Sequence, residues 1–344
     1  TNSKRLVQVM SDWKIEAKYH EEELSNYSFL ITGGAGFIGC NIVQYLMDNG
    51  AEKVRVLDDF SNGYRENINA YLGDERFDLL EGSITDVDTC IKACEGIDYI
   101  SHQAALGSVP RSIKNPLATH EANATGFLNM ITAAKNAGVK QMVYASSSSV
   151  YGSNVDLPKL EGNTGDPLSP YATSKKTNEL YAKVFKNVYD FNSVGLRYFN
   201  IFGPKQSPNG PYAAVIPLYM DALLANKSGK IFGDGEQSRD FTFVENAVQA
   251  NIKGMFTKSE GVYGEVCNIA CGEKTSVIQL YDVLKSAANA TADAEFCPPR
   301  TGDIRDSLAS ISRAKQHLGY DPSVNIKDGL EITLAWFKKN QFNK

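Results

Sequence analysis

Ile31-Thr32-Gly33-Gly34-Ala35-Gly36-Phe37-Ile38-Gly39 is the stretch that decides the fold. An apolar run, Ser28–Thr32, leads into it, and an apolar-periodic stretch, Phe37–Asn49, leaves it. The run reads as a buried strand and the stretch as an amphipathic helix, with the glycines at the tight turn between them. Glycines at G-x-x-G-x-x-G spacing let the backbone approach a pyrophosphate, which then meets the positive end of the helix. Asp58 stands 19 residues beyond Gly39 and ends a second apolar run, Val54–Leu57. A carboxylate there accepts hydrogen bonds from an adenosine ribose and repels a 2′-phosphate, which predicts NAD rather than NADP. Asp59 is adjacent and could share that role.

Outward from the turn, strand and helix patterns alternate. Phe77–Glu81, Asp98–His102, Gln141–Ser146 and Ser193–Tyr198 read as further short strands, each after a helical stretch. The helices over Leu117–Ala137 and Ser169–Asp190 are long and periodic. The pattern predicts an α/β fold, a Rossmann-type doubly wound parallel sheet with a smaller α/β C-terminal substrate-binding domain. An N-terminal extension over 1–25 is expected to be a short helix. The NAD-binding domain is expected over 26–200, with a return around 240–272, and the substrate domain over 201–344, where glycine and proline cluster at 202–211.

Composition narrows the partners. The 344 residues are 42% hydrophobic and 22% charged, ordinary for a soluble enzyme. A formal charge of −5 without a basic run argues against nucleic acid. No apolar stretch approaches the roughly 18 residues that would suggest a membrane span. The first residues are polar, with no signal-peptide core. Six cysteines make no C-x-x-C pair and four histidines are scattered, so free thiols, no metal and a cytoplasmic location are expected.

Tyr171-Ala-Thr-Ser-Lys175 carries the candidate chemistry, with Ser146–Ser149 upstream. Residues four apart on a helix share a face. A free tyrosine has a pKa near 10, and bringing it to about 7 takes roughly 4 kcal/mol. Two unit charges about 4 Å apart at an effective dielectric near 20 interact by that much. A lysine ammonium, helped by an oxidised nicotinamide, would make Tyr171 a phenolate able to take a hydroxyl proton, with a nearby serine steering that hydroxyl.

Together, Gly33–Gly39, Leu57–Gly63, His102-Gln-Ala-Ala105, Ser146–Gly152, Tyr171-x-x-x-Lys175, Arg197-Tyr-Phe-Asn200 and Gly233–Phe241 resemble the extended short-chain dehydrogenase/reductase family. Within it the chain is similar to the nucleotide-sugar 4-epimerases, from about Ser28 to Trp336. The resemblance implies that Tyr171 is the base, that Lys175 holds the nicotinamide ribose, and that Ser147 is the catalytic serine. It implies cofactor contacts at Gly33, Gly36, Phe37, Ile38, Gly39, Asp58, Asn62, Gly63, Ser83, Ile84, Gln103, Ala104, Ala105, Asn123 and Tyr198. Ser83 stands where the family usually has an aspartate beside the adenine.

Substrate contacts are implied likewise. Ser147, Ser148 and Ser149 would face the sugar, and Asn200 and Arg239 would bind the UDP diphosphate. Arg300 and Asp303 would reach diphosphate and uridine ribose. Gly107, Ser108, Ala214 and Val215 belong to loops, 105–112 and 209–217, that resemble those of epimerases preferring N-acetylated UDP-hexosamines, and Gln206 would join Ser148, Asn200, Gly107, Ala214 and Ser307 in the walls around the sugar. Ser307 stands where some relatives have a bulky tyrosine, and leaves room for an acetamido group. Ser148–Gly152 lacks the acids by which dehydratases and decarboxylases of the family divert the keto sugar. The implied reaction is therefore 4-epimerisation of UDP-GlcNAc and UDP-GalNAc. UDP-hexuronic acids, served by Arg111 or Lys205, and UDP-Glc/UDP-Gal are the alternatives, with a non-catalytic NAD-binding regulator more remote. A homodimer through a four-helix bundle is implied by the same relatives.

Overall fold

The computed structural model describes residues 13–209, 214–299 and 305–341. Seven parallel strands form the central sheet: β1 Ser28–Thr32, β2 Lys53–Asp58, β3 Phe77–Glu81, β4 Tyr99–His102, β5 Gln141–Ser147, β6 Ser193–Tyr198 and β7 Glu265–Ile269. Their spatial order is 3-2-1-4-5-6-7. The order reverses beside β1, between β2 and β4, and a crevice opens there at the carboxyl ends of the strands.

The sheet is buried on both faces, which is why its strands read as continuous apolar runs. Alternate residues of β1 go to opposite sides. Phe29 and Ile31 join one core with α1 (Phe37–Asp48) and α5 (Val244–Phe256). Leu30 joins the other with α2 (Val87–Cys94), α3 (Gly126–Ala137) and α4 (Pro170–Tyr189). Each fully buried Leu, Ile or Phe contributes roughly 1.5–3 kcal/mol, so both layers are strongly fixed to the sheet. A third core joins the helices Val215–Leu224, Val277–Ala288 and Ile326–Gln341.

Two long helices differ in detail from expectation. The first is interrupted: Pro116–His120 and α3 are joined by a π-turn, Glu121–Thr125. The second, α4, starts where Ser169 accepts a hydrogen bond from the Ala172 N–H at 3.1 Å and ends where Asp190 turns left-handed. The expected N-terminal helix is not seen. Residues 1–12 lie outside the described residues, and from Trp13 the chain runs irregularly to one turn of 3₁₀ helix, Leu24–Asn26. Tertiary contacts hold it extended: Trp13 meets Phe243 edge-on at 5.6 Å, Ile15 is buried, and the Tyr19 hydroxyl donates to Glu245 Oε1 at 2.6 Å.

Candidate active site

The glycine turn is packed backbone against backbone. Gly33 has φ +67°, and a Cβ there would lie 2.7 Å from the Ala104 nitrogen. A Cβ at Gly39 would overlap the Gly33 carbonyl and lie 2.8 Å from Gly34 Cα. Gly36 caps α1 with no side chain of its own, so the first amides of Phe37, Ile38 and Gly39 face outward as an anion cradle.

Beside that cradle is a cavity of about 330 Å³. Gly33, Gly36, Asp58, Asn62, Gly63, Ser83, Ile84, Gln103, Ala104 and Ala105, all expected at the cofactor, line it together. Asp58 is nearly buried; its Oδ2 accepts from the Ala35 N–H and its Oδ1 from the Phe60 N–H, both at 2.8 Å. Burial pushes its pKa up, and those two amides oppose the rise. Its remaining lone pairs are fixed in the cavity wall, as ribose recognition needs. Ser83 bonds the Thr85 hydroxyl at 2.9 Å and lines the same wall. The residues present therefore fit a dinucleotide, whose nicotinamide supplies the hydride acceptor.

Two expected cofactor contacts stand one layer back. The Asn123 amide is spent on both backbone groups of Leu106, at 2.7 and 3.1 Å, and on the Ser174 hydroxyl at 3.1 Å. It sits in the π-turn, which swings its side chain toward the 103–106 loop. The Tyr198 hydroxyl donates to Gln103 Oε1 at 3.1 Å and accepts from Asn251 at 2.7 Å. Both residues shape the loop that lines the cavity.

Tyr171, Lys175 and Ser147 meet at the ends of α4 and β5. Ser147 stands beside the Tyr171 phenol, where its hydroxyl favours the ionised form. Lys175 is 3% exposed and its Nζ donates to the Ala145 carbonyl at 2.8 Å. That Nζ lies 6.0 Å from the centre of the Tyr171 ring. Burial raises the Tyr171 pKa, opposed by the neighbouring Ser147 hydroxyl, and burial lowers Lys175 to about 8. Among the protein's own groups desolvation outweighs the opposing Ser147 hydroxyl, so activation of Tyr171 calls for the positive charge of an oxidised nicotinamide as well as Lys175.

A second cavity, of about 530 Å³, is lined by Asn200, Val215, Tyr219, Lys230, Phe232, Gln237, Arg239 and Phe241 among others. Asn200 sits at φ +40° with its amide on the Asp240 carbonyl at 3.0 Å. Arg239 Nη1 donates to the Ser238 carbonyl at 2.8 Å. Ser307 is 9% exposed, and its N–H bonds the Ser238 carbonyl at 3.1 Å, beside the strand of Arg239. Ala214 is the N-cap of the helix that brings Val215 to this cavity. Gln206 lines a different cleft, with Lys205 and Trp336. Gly107 is exposed, and Ser108, at φ +92°, caps the helix Val109–Lys114. Ser148 and Ser149 begin the 3₁₀ turn after β5. The hydroxyl of Ser149 and Oε1 of Gln206 are buried without a hydrogen-bond partner among the described residues. Arg300 and Asp303 lie outside the described residues, as does 210–213.

Sequence reasoning missed several residues. Asp240 is fully buried and accepts three backbone N–H groups, from Cys271 at 2.9 Å, Gly272 at 3.0 Å and Ala309 at 3.2 Å. It ties the Arg239 strand to the segment carrying Ser307. Burial pushes its pKa up to about 6. No local pattern marks such a joint, because its partners lie 31 to 69 residues away. Lys230 and Phe232 were passed over as an ordinary short strand.

Residues 29–270 match the model of the NAD dependent epimerase/dehydratase family. Among curated proteins, the chain is 36% identical to a UDP-glucose 4-epimerase of Mycolicibacterium smegmatis, over 90% of this chain and 98% of that one. Among solved structures, it matches a UDP-N-acetylglucosamine 4-epimerase of Methanobrevibacter ruminantium, in complex with UDP-N-acetylmuramic acid, at 38% identity and TM-score 0.86, covering 91% and 99% of the two chains. It matches a Thermus thermophilus UDP-glucose 4-epimerase in complex with NAD at 30% identity and TM-score 0.81, covering 90% and 99%. The glycine cradle, the acid in its wall and the half-buried tyrosine beside a buried lysine agree with these matches: the chain belongs to the NAD dependent epimerase/dehydratase family.

Proposed function

We propose that this enzyme interconverts UDP-GlcNAc and UDP-GalNAc by inversion at C4. The broader statement, an NAD-dependent UDP-sugar 4-epimerase, rests on the family and on relatives at 30% identity or more over nine-tenths of the chain. The observation that carries it is the grouping of Tyr171, Ser147 and Lys175 at the ends of α4 and β5, with no carboxylate in Ser148–Gly152. Tyr171 takes the proton of the 4-hydroxyl, Ser147 aligns that hydroxyl, and Lys175 supplies positive charge. Bound NAD supplies the reversible hydride acceptor. With no acid placed for elimination, the proton that Tyr171 took returns on the other epimer.

The N-acetylated sugar is favoured by the small side chain of Ser307 beside the Arg239 strand, and by the orphaned hydroxyl of Ser149, a free partner for a sugar substituent. The cations that would serve a uronic acid have partners already. Arg111 bonds Asn62 Oδ1 at 2.7 Å at the rim of the cofactor cavity, and Lys205 bonds Gln44 Oε1 at 3.0 Å. Arg239 is the diphosphate ligand in this reading, where a planar guanidinium fits phosphate oxygens. A second copy of the chain fits the exposed stripe Leu180, Val184 and Val188 on α4, with Leu117 nearby, which supports a homodimer through these helices. The test is turnover of UDP-GlcNAc, UDP-Glc and UDP-GlcA by the purified enzyme, each followed to its C4 epimer. UDP-GlcNAc is expected to have the highest kcat/KM. A faster UDP-Glc would sink the assignment of the sugar while leaving the reaction intact.

A further inference from the structure

Tyr171, Lys175 and Glu179 occupy one face of α4 at i, i+4 and i+8. The end of β5 faces them with Ser147, Ala145 and Ser146, so three rungs join helix to strand. Ser147 stands beside the Tyr171 phenol, Lys175 Nζ bonds the Ala145 carbonyl at 2.8 Å, and the Ser146 hydroxyl donates to Glu179 Oε1 at 2.6 Å. The first two carry the reactive groups. The third does not touch either cavity: Ser146 is 2% exposed and Glu179 is 7% exposed, and neither lines them.

We infer that Ser146, Glu179 and Arg197 form a positioning device that sets the reach of Tyr171 toward the reacting hydroxyl. Arg197 is the residue paired with Ser146 in the β5–β6 register. Its Nε and Nη2 grip the two Glu179 oxygens at 2.8 Å each, and its Nη1 bonds the Glu161 carbonyl at 3.0 Å. The guanidinium also lies 4.9 Å from the centre of the Tyr151 ring. Lys176 adds a looser contact, 3.4 Å from Glu179 Oε2. Arginine holds Glu179 well ionised despite its burial. A buried ion pair is a poor way to gain stability, because apolar residues of the same volume do as well. It is a good way to fix one geometry, since fork and carboxylate fit in a single plane. With Glu179 fixed to β6, the Ser146 hydroxyl locks the level of β5 against α4 next to the Tyr171–Ser147 contact. A base that serves two epimers from one position tolerates little error, and a misplacement of about 1 Å costs on the order of 100-fold.

The inference rests on Tyr171 being the base, and the test separates the two. Ser146→Ala removes the third rung and leaves Glu179 its two bonds to Arg197. Its kcat is expected to fall about ten-fold or more for both epimers, with KM for the UDP-sugar and retained dinucleotide within two-fold of the parent. The pH at which the rate changes stays put while the plateau drops, and the melting temperature stays close to the parent's. Ser146→Thr, which keeps the hydroxyl, recovers most of kcat. An unchanged kcat in Ser146→Ala overturns the inference, as does a loss confined to KM or to melting temperature, or one that threonine does not restore. Tyr171→Phe is assayed alongside. If that variant stays active the base assignment fails; if it is dead while Ser146→Ala runs at parental speed, only the positioning role fails.

Discussion

The cofactor cavity and the second cavity are walled differently. The first is mostly backbone and small residues, among them Gly33, Gly36, Gly63, Gly82, Ala104 and Ala105, with the buried carboxylate of Asp58 in its wall. The second is walled by large and charged side chains, among them Tyr219, Lys230, Phe232, Arg239 and Phe241. Backbone walls follow from the strand–turn–helix geometry and change little when surface residues change. Side-chain walls can be exchanged one at a time. A family that keeps one cofactor while varying its sugar would be expected to divide its two sites in this way, and each variant below acts on one side of that division or on the junction between them.

The largest effect is expected at the junction. Tyr171→Phe keeps the ring and removes the proton acceptor proposed for the 4-hydroxyl. A general base contributes about 10²- to 10⁴-fold, so kcat should fall by that much while dinucleotide and UDP-sugar still bind. Stopped-flow or product assays with each epimer check this; equal residual rates near the parent's would remove Tyr171 from the mechanism.

On the cofactor side, Gly39→Ala inserts a methyl group against the Gly33 carbonyl and Gly34 Cα, both backbone atoms with nowhere to go. Overpacking of this kind costs about 1–3 kcal/mol, or roughly 5- to 150-fold in dinucleotide affinity if the turn gives way. The measurement is the NAD recovered with purified protein. Stoichiometric NAD in the variant would show that the turn is not the cradle.

The same contrast explains what could be read from the chain. Gly33–Gly39 and Asp58 announce the first site because their roles depend on neighbours in sequence, through a turn and a strand end. The walls of the second site come from Asn200, from Val215 to Phe241 and from Val277, and Asp240 joins segments that no pattern connects. Arg239 and Ser307 were legible only through resemblance. Over the described part of the N-terminal segment, Trp13 and Ile15 make tertiary contacts that no local pattern announces. No local pattern marks Glu179, since its meaning depends on Arg197 one strand away.

A pH profile tests how the charges of the junction are shared. Tyr171 must lose its proton to act, and burial raises its pKa, so the rate should climb with pH on the acid side. Lys175 must keep its proton to help, and burial lowers its pKa to about 8. The lysine is charged below that value and neutral above it, so kcat/KM should fall as pH rises through about 8, by roughly ten-fold for each further unit. A profile still rising at pH 9.5 would show that Lys175 is held charged by something stronger than this burial.

The smallest effect is expected from the substrate side. Ser307 is buried beside the strand that carries Arg239, so a larger residue there must displace what packs around it rather than extend into solvent. Ser307→Tyr should therefore penalise a bulky 2-substituent and spare a hydroxyl. Steric discrimination in a pocket of this kind runs to about 10-fold and upward, so kcat/KM for UDP-GlcNAc should drop about ten-fold while that for UDP-Glc stays within a few-fold. Dinucleotide content and the pH profile should not move, because neither depends on the second cavity. Equal losses for both sugars would mean that Ser307 only packs the Asp240 joint. A larger loss for UDP-Glc would place the 2-substituent on another wall, where Ser149 is the first residue to replace.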